Sequence, residues 1–126
     1  PSGSIVAFRL HDQAGKLSLV PAWVSRDISA PAPPVIAQGV VFALSNGEYD
    51  RKVKESKGVT KVQDHPKGSS HATLYALDGV TGKEIYSTGD QVTAPGSLTG
   101  LSVANSRVYF TTTDNNIYVF GKYLEH

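Results

Sequence analysis

Short apolar runs, separated by residues that favour turns, recur along the whole chain. Three similar runs stand at 5–8, 74–77 and 117–120, and two longer ones at 35–42 and 103–110. These runs are rich in Val, Ile, Tyr, Phe and Thr, which fit the pleated surface of a sheet. No stretch keeps the spacing of an amphipathic helix over three turns. The pattern therefore predicts an all-β chain.

The spacing of these runs indicates a repeat. The runs that begin at residues 74 and 117 are 43 residues apart, whereas those that begin at 5 and 74 are 69 residues apart. An interval of ~40–45 residues is typical of a four-stranded propeller blade. The longer interval therefore has room for an insertion between two of the strands.

Hairpin turns are predicted at two dipeptides that separate paired apolar runs, Gln38-Gly39 and Asn105-Ser106. Two-residue turns of this kind require positive φ, which Asn and Gly tolerate and which Ser fits less well. The tripeptide 114–116, Asp-Asn-Asn, has the same role before the last run.

The most specific string is Ala-Leu-Asp-Gly-Val-Thr-Gly-Lys-Glu-Ile-Tyr at 76–86. Asp78 and Thr81 can hydrogen-bond the backbone of a tight turn, and Gly82 can take its left-handed position. The string resembles the Ala-x-Asp-x-x-Thr-Gly-Lys-x-x-Trp docking motif of the PQQ-like (quinoprotein-type) β-propeller repeat family. The residues that carry the resemblance are Ala76, Asp78, Thr81, Gly82, Lys83 and Tyr86, and Tyr86 stands where the family has Trp.

A looser copy of the motif runs from Ala7-Phe8 through Gly15 to Trp23, with Arg9 at the Asp position and a longer gap after the glycine. The resemblance implies that Trp23 and Tyr86 are docking residues, each packed between adjacent blades. Packing is also the expected role of Trp23 in preference to a cofactor platform.

Strands of a blade in this family run from the innermost, A, to the outermost, D, and the motif joins C to D. The resemblance thus assigns 1–24 to strands C and D of a partial blade, 30–88 to a complete blade with a B–C insertion at 46–72, and 98–123 to strands A–C of a last blade. The expected strands are 5–10, 16–24, 32–37, 40–45, 73–78, 83–87, 100–104, 107–112 and 116–121. The tripeptide 124–126 is interpreted as a tag remnant.

A propeller ring generally needs at least ~4 blades, so the predicted fold is a β-propeller fragment, an incomplete ring. We expect the chain to be the C-terminal end of a longer propeller. Its partners are then the remainder of that propeller, or another copy of the chain, pairing at open strand edges.

Composition narrows the classes of function. The formal net charge of +1 is too small to indicate nucleic-acid binding. No apolar run approaches the ~20 residues of a membrane-spanning helix. The chain has no Cys, so it has neither a disulfide framework nor a thiolate metal site.

The insertion at 46–72 is the candidate binding loop, because long loops often carry function. Strand direction places a B–C loop on the same side as the D–A connections. The candidate residues are Arg51, Lys54, His65 and His71. A solvated loop that varies between relatives is the alternative.

Histidines and isolated carboxylates are the other candidates for chemistry. His65 and His71 lie six residues apart, which matches no standard zinc pattern, so no metal site is predicted. We expect His11 in the C–D connection of the first blade. Asp27 and Asp90 stand near D–A connections, where isolated carboxylates are usually solvated.

The resemblance implies a bacterial, periplasmic or secreted parent protein, and we expect this chain to be a scaffold or binding platform without catalysis of its own. One alternative is the C-terminal part of a quinone-dependent (PQQ) dehydrogenase with its catalytic residues outside this segment. Another is a periplasmic assembly-factor-like propeller that binds protein partners. No cofactor is predicted in this chain; PQQ with calcium is an expectation only for the complete protein.

Overall fold

The computed structural model describes residues 2–47 and 71–121, and within them the chain is all-β without a helix. Every paired strand is antiparallel, and the sheets contain two to four strands. The strands are β1 (Ser2–Gly3), β2 (Val6–Gln13), β3 (Lys16–Val24), β4 (Ile28–Ser29), β5 (Val35–Ala37), β6 (Val40–Ser45), β7 (Thr73–Asp78), β8 (Glu84–Ser87), β9 (Ser102–Ala104), β10 (Arg107–Thr111) and β11 (Ile117–Gly121).

Three sheets follow one another along the chain. The first is the hairpin β2–β3, the second is the four-stranded sheet β5-β6-β7-β8, and the third is the three-stranded sheet β9-β10-β11. In the second and third sheets each strand pairs with the next one in sequence. The two short strands β1 and β4 pair with each other, and the sequence did not predict them.

The hairpin turns have the backbone that their residues predict. Gln38 and Gly39 have φ of 50° and 76°, and Asn105 and Ser106 have φ of 50° and 60°. Both central residues are thus left-handed, as in the turns whose twist matches that of the flanking strands. Ser106 takes the strained conformation although Gly or Asn would fit it better.

A β-bulge interrupts the first sheet beside Trp23. Ala7 lies opposite Trp23, but the next residue, Phe8, lies opposite Pro21, so Ala22 has no partner of its own. Side chains normally alternate between the two faces of a strand. Because of the extra residue, Trp23 and Pro21 lie on opposite faces, and Trp23 shares a face with Ala7.

The same bulge occurs at the equivalent place in the second sheet. Ala76 lies opposite Tyr86, while Leu77 lies opposite Glu84, so Ile85 is the extra residue. Both copies therefore have an alanine opposite an aromatic residue, directly followed by the bulge. This agreement in register is independent of the sequence motif and relates the first sheet to the pair β7–β8 of the second.

The main hydrophobic core lies between the second and third sheets. Leu44 and Leu74 of the second sheet and Phe110 of the third are at most 2% exposed. The other buried members are Ala32, Ala72, Val92 and Val108. The rings of Phe110, Tyr118 and Phe120 extend this core as a parallel stack with centroids 5.5–6.5 Å apart.

Candidate functional site

The turn between β7 and β8 is closed by side-chain and backbone hydrogen bonds. Oδ1 of Asp78 accepts hydrogen bonds from the backbone N–H groups of Val80 (2.8 Å) and Thr81 (2.9 Å). The hydroxyl of Thr81 accepts one from the N–H of Lys83 at 3.2 Å. The backbone donor of Thr81, followed by that of Val80, lowers the pKa of Asp78 below its ordinary value. Gly82 has φ of +74°, and its backbone N–H donates a hydrogen bond to the carbonyl of Asp78.

Trp23 of the first sheet lies against this turn of the second sheet. Its Nε1 donates to the carbonyl oxygen of Gly79 at 3.1 Å. A Cβ on Gly82 would lie 2.5–2.7 Å from Cγ, Cδ2 and Cε3 of the indole. The indole can approach the turn this closely only because residue 82 has no side chain. The contact therefore requires glycine for two reasons, its left-handed backbone and its lack of a Cβ.

Tyr86 also contacts the sheet that follows its own, through a strand residue rather than a turn. Its ring lies 6.4 Å from that of Phe120 in β11, with a tilt of 51° between the planes. The tilted geometry and the distance are those of a favourable aromatic pair. Both aromatic residues that follow a bulge thus reach from the last strand of one sheet to the following sheet.

Arg26 adds a polar contact between the first and second sheets. Its guanidinium lies 5.2 Å from the centroid of the Tyr75 ring, and its Nη1 is 3.5 Å from Oε2 of Glu84. A guanidinium over an aromatic face is attracted by the ring quadrupole. Sequence reasoning missed this contact, since Arg26 stands in a connection with no local motif.

Asn46 lies where the insertion leaves the second sheet and holds three segments together. Its side-chain Nδ2 donates to the backbone carbonyl of Ala30 at 2.9 Å. Its backbone carbonyl accepts a hydrogen bond from the N–H of Gly96 at 2.8 Å. Ala30 and Gly96 lie in the connections that enter and leave the second sheet. At the other end of the insertion, the backbone N–H of Ala72 donates to the carbonyl of Ala94. The described ends of the insertion therefore lie on the same side of the sheet as these connections.

The described residues at the two ends of the insertion, Asn46, Gly47, His71 and Ala72, are called the insertion rim below. Asn46 is 5% exposed, and its Oδ1 is buried without a hydrogen-bond partner among the described residues. This oxygen is packed against the Cα of Gly96, where a Cβ would overlap it. The close approach explains why a glycine stands at position 96.

His71 is fixed on the insertion rim by both of its ring nitrogens. Nε2 lies 2.9 Å from Oδ1 of Asp90, and Nδ1 lies 3.0 Å from the carbonyl oxygen of Ala72. Both neighbours are acceptors, so whichever ring nitrogen carries a proton can donate to the acceptor beside it. The ring thus lies between the carboxylate of Asp90 and the backbone of Ala72 on the insertion rim.

Other candidates from the sequence have the following positions. His11 was expected in a connection, but this was wrong: it lies within β2 opposite Ser18, because β2 continues to Gln13. Asp27 is exposed between β3 and β4. Arg51, Lys54 and His65 lie outside the described residues.

In 2–47 and 71–121 no group of three or more His, Asp or Glu side chains could hold a metal ion. Trp23, the only tryptophan of the chain, has its indole against the turn glycine Gly82. No helix in this part of the chain is long and apolar enough to cross a membrane.

Two features thus remain as candidate functional surfaces: the contacts that join one sheet to the next, and the insertion rim on one side of the second sheet. The chain matches no family model, no curated protein and no solved structure.

Proposed function

We propose that this chain is a segment of a PQQ-like repeat β-propeller that acts as a scaffold or binding platform. One observation carries the proposal: the pair of alanine and aromatic residue at the bulge recurs in the first and second sheets. In both copies the aromatic side chain reaches the following sheet, through Trp23 to Gly82 and through Tyr86 to Phe120. Sheets that are joined only to their neighbours in sequence are the build of a repeat protein.

The binding surface of the proposed platform is the insertion rim together with the insertion itself, including Arg51, Lys54 and His65. Asn46 holds the start of the insertion to the connections that enter and leave the sheet, and His71 contacts Asp90 near its end. Contacts at the two ends of a long loop limit how far those ends can move, which reduces the entropy that the loop loses on binding. Protein partners are the proposed ligands, in a bacterial periplasm or outside the cell.

Neighbouring polypeptide completes the scaffold in this proposal. In the described part of the chain β11 has a partner on one side only, and β2 and β3 have only each other. Unpaired strand edges favour the addition of further strands. The remainder of a propeller, or another copy of the chain, would supply them.

The proposal is tested by separating binding from cofactor chemistry. Replacing 48–70 by a short Gly-Ser linker should leave the fold intact in far-UV circular dichroism and abolish capture of protein partners by the immobilised chain. Incubation with PQQ and Ca²⁺, followed by dialysis, should leave no quinone absorbance on the protein. Retained quinone would argue for the dehydrogenase, and equal capture by the linker variant would remove the insertion from the binding surface.

A further inference from the structure

The first sheet has one face that nothing covers in the described part of the chain. Phe8, Leu10, Leu17 and Leu19 are 53–68% exposed. They share a face because Leu10 lies directly opposite Leu19, and residues two apart in a strand point the same way. Trp23 lies on the other face, which packs on the second sheet. We call the exposed side of β2–β3 the leading face.

The third sheet has an apolar face that is open in the opposite direction. Ile117 and Val119 of β11 are 71% and 48% exposed. Their neighbours along the strand, Tyr118 and Phe120, point to the other side, where Phe120 meets Tyr86 of the second sheet. We call the side of β9–β11 that carries Ile117 and Val119 the trailing face.

Equivalent positions in the second sheet show what a leading face normally contacts. By the register of the two bulges, Phe8 corresponds to Leu77. Leu77 is 3% exposed. It shares its face with Tyr75, which packs under Arg26 from the connection that follows the first sheet. The leading face of the second sheet is therefore turned toward the preceding sheet.

The third sheet follows the same rule. Leu77 lies opposite Val41, and Phe120 lies opposite Val108; each of these partners is the second residue after a hairpin turn. Phe120 is thus the third equivalent of Phe8, and it packs on Tyr86 of the preceding sheet. By the same correspondence Val119 matches Ala76, which is 7% exposed and lies opposite Tyr86 on the trailing face of its sheet.

The two open faces are therefore the two halves of a contact that occurs twice within the chain. We propose that the leading face of one copy of this chain stacks on the trailing face of a second copy. The inference rests on the repeat architecture of the proposed function. It names the partner surface, which is a sheet face rather than a strand edge.

Charge agrees with this pairing. On the leading face the one charged residue among those described is Asp12, which lies opposite Leu17. On the trailing face it is Arg107, which lies opposite Gly121. A stack of unlike faces brings opposite charges to one interface, whereas two leading faces or two trailing faces would bring like charges together. The contact is therefore heterologous and produces rings or linear assemblies rather than a two-fold dimer.

Single substitutions on each face test the proposal. Leu19→Asp places a charge on the leading face, and Ile117→Asp does so on the trailing face. Both side chains are already exposed in the single chain, so neither change should disturb folding. In sedimentation velocity over a series of concentrations the unaltered chain should form dimers and larger assemblies. Each variant alone should dissociate, with its dissociation constant raised at least about tenfold.

Mixing the two variants gives the decisive measurement. Leu19→Asp keeps a normal trailing face and Ile117→Asp a normal leading face, so an equimolar mixture should form a one-to-one dimer and nothing larger. Leu98→Asp, at an 88% exposed position between β8 and β9, introduces the same charge outside both faces and should assemble like the unaltered chain. Variants that had unfolded could not restore the dimer on mixing.

Two results would overturn the inference: an unaltered chain that stays monomeric at every concentration, or a mixture of the two variants that stays monomeric. Neither result touches the proposed platform, whose own tests are retention of quinone and capture of partners. Trp23 lies between the first and second sheets of the same copy, away from the proposed interface. Its fluorescence emission should therefore not change on assembly. A change in that emission would mean that association rearranges the sheets, which also contradicts the stacking proposed here.

Discussion

Replacing Gly82 by alanine should separate the first sheet from the second. The new Cβ would lie 2.5–2.7 Å from three atoms of the Trp23 indole, well inside van der Waals contact. The indole must move away, and its hydrogen bond to Gly79 lengthens or breaks because both contacts are made by one rigid ring. The backbone adds a second cost, since φ at this position is +74°.

The magnitude follows from these two terms. A left-handed conformation costs an alanine about 1–2 kcal/mol. Overpacking against the indole adds about 1–3 kcal/mol. Together they predict a loss of about 2–5 kcal/mol in the free energy of unfolding.

Gly15 provides a matched control. Its φ of +81° is equally left-handed, but no atom lies within 4 Å of the position that a Cβ would take. Gly15→Ala should therefore cost only the conformational term, about 1–2 kcal/mol. The difference between the two alanine variants measures the contact with Trp23.

Urea unfolding followed by far-UV circular dichroism and by tryptophan emission is the assay. Trp23 is the only tryptophan, so the emission reports its contact with the turn of the second sheet. In a Trp23→Ala background, Gly82→Ala should cost no more than Gly15→Ala, because the ring that it displaces is gone. If Gly82→Ala costs equally much with and without Trp23, the steric argument is refuted.

Three further predictions concern the other contacts. Asp78→Asn should destabilise the fold above about pH 5, and the loss should shrink as the pH falls below 3.8, the ordinary pKa of the group. The pKa of Asp78 is lowered in the folded state, so its stabilisation is complete above the unfolded-state pKa and is lost as the pH falls through the folded-state pKa. Urea unfolding at several pH values measures this dependence. Asn46→Asp should cost more than about 2 kcal/mol in urea unfolding at neutral pH, because it removes the donor to Ala30 and buries a charge, whereas Asn46→Ala should cost less. Tyr86→Ala should cost about 0.5–1.5 kcal/mol through loss of the pair with Phe120, and Tyr86→Phe, which keeps the ring, should be close to neutral in thermal unfolding.

The strands and turns could be predicted because their signals are local. Gln38-Gly39 and Asn105-Ser106 stand between apolar runs, and no other part of the chain is needed to interpret them as turns. The predicted strand at 40–45 coincides with β6, and that at 73–78 coincides with β7. A shift by one residue in a buried strand would turn its apolar side chains away from the core. The apolar pattern therefore determines the position of such a strand.

The faces of the strands could not be predicted, because they depend on the bulges. Regular alternation from Leu17 and Leu19 would place Trp23 on the same face as these leucines. The unpaired Ala22 reverses that assignment, and no feature of its own sequence marks alanine as a bulge residue. Sequence similarity related Trp23 to Tyr86, but only the pairing register shows why both point at the next sheet.

Long-range polar contacts could not be predicted from the sequence for a similar reason. Trp23 and Gly79 are 56 residues apart, and Asn46 reaches segments before and after the second sheet. Such partners become neighbours only when the sheets stack, and a single sequence contains no signal for stacking order. His11 was placed wrongly for the opposite reason: the local pattern ended the strand early, whereas pairing with β3 extends it.

The distribution of buried surface decides how this fold can lose structure. The second and third sheets share the core of Leu44, Leu74 and Phe110, whereas most residues of the first sheet are exposed, and its contacts with the second include those of Trp23 and Arg26. Where each sheet contacts only its neighbours, stability is roughly the sum of sheet and interface terms. The first hairpin should therefore detach before the rest unfolds, and a partner on its leading face would add the interface that it lacks.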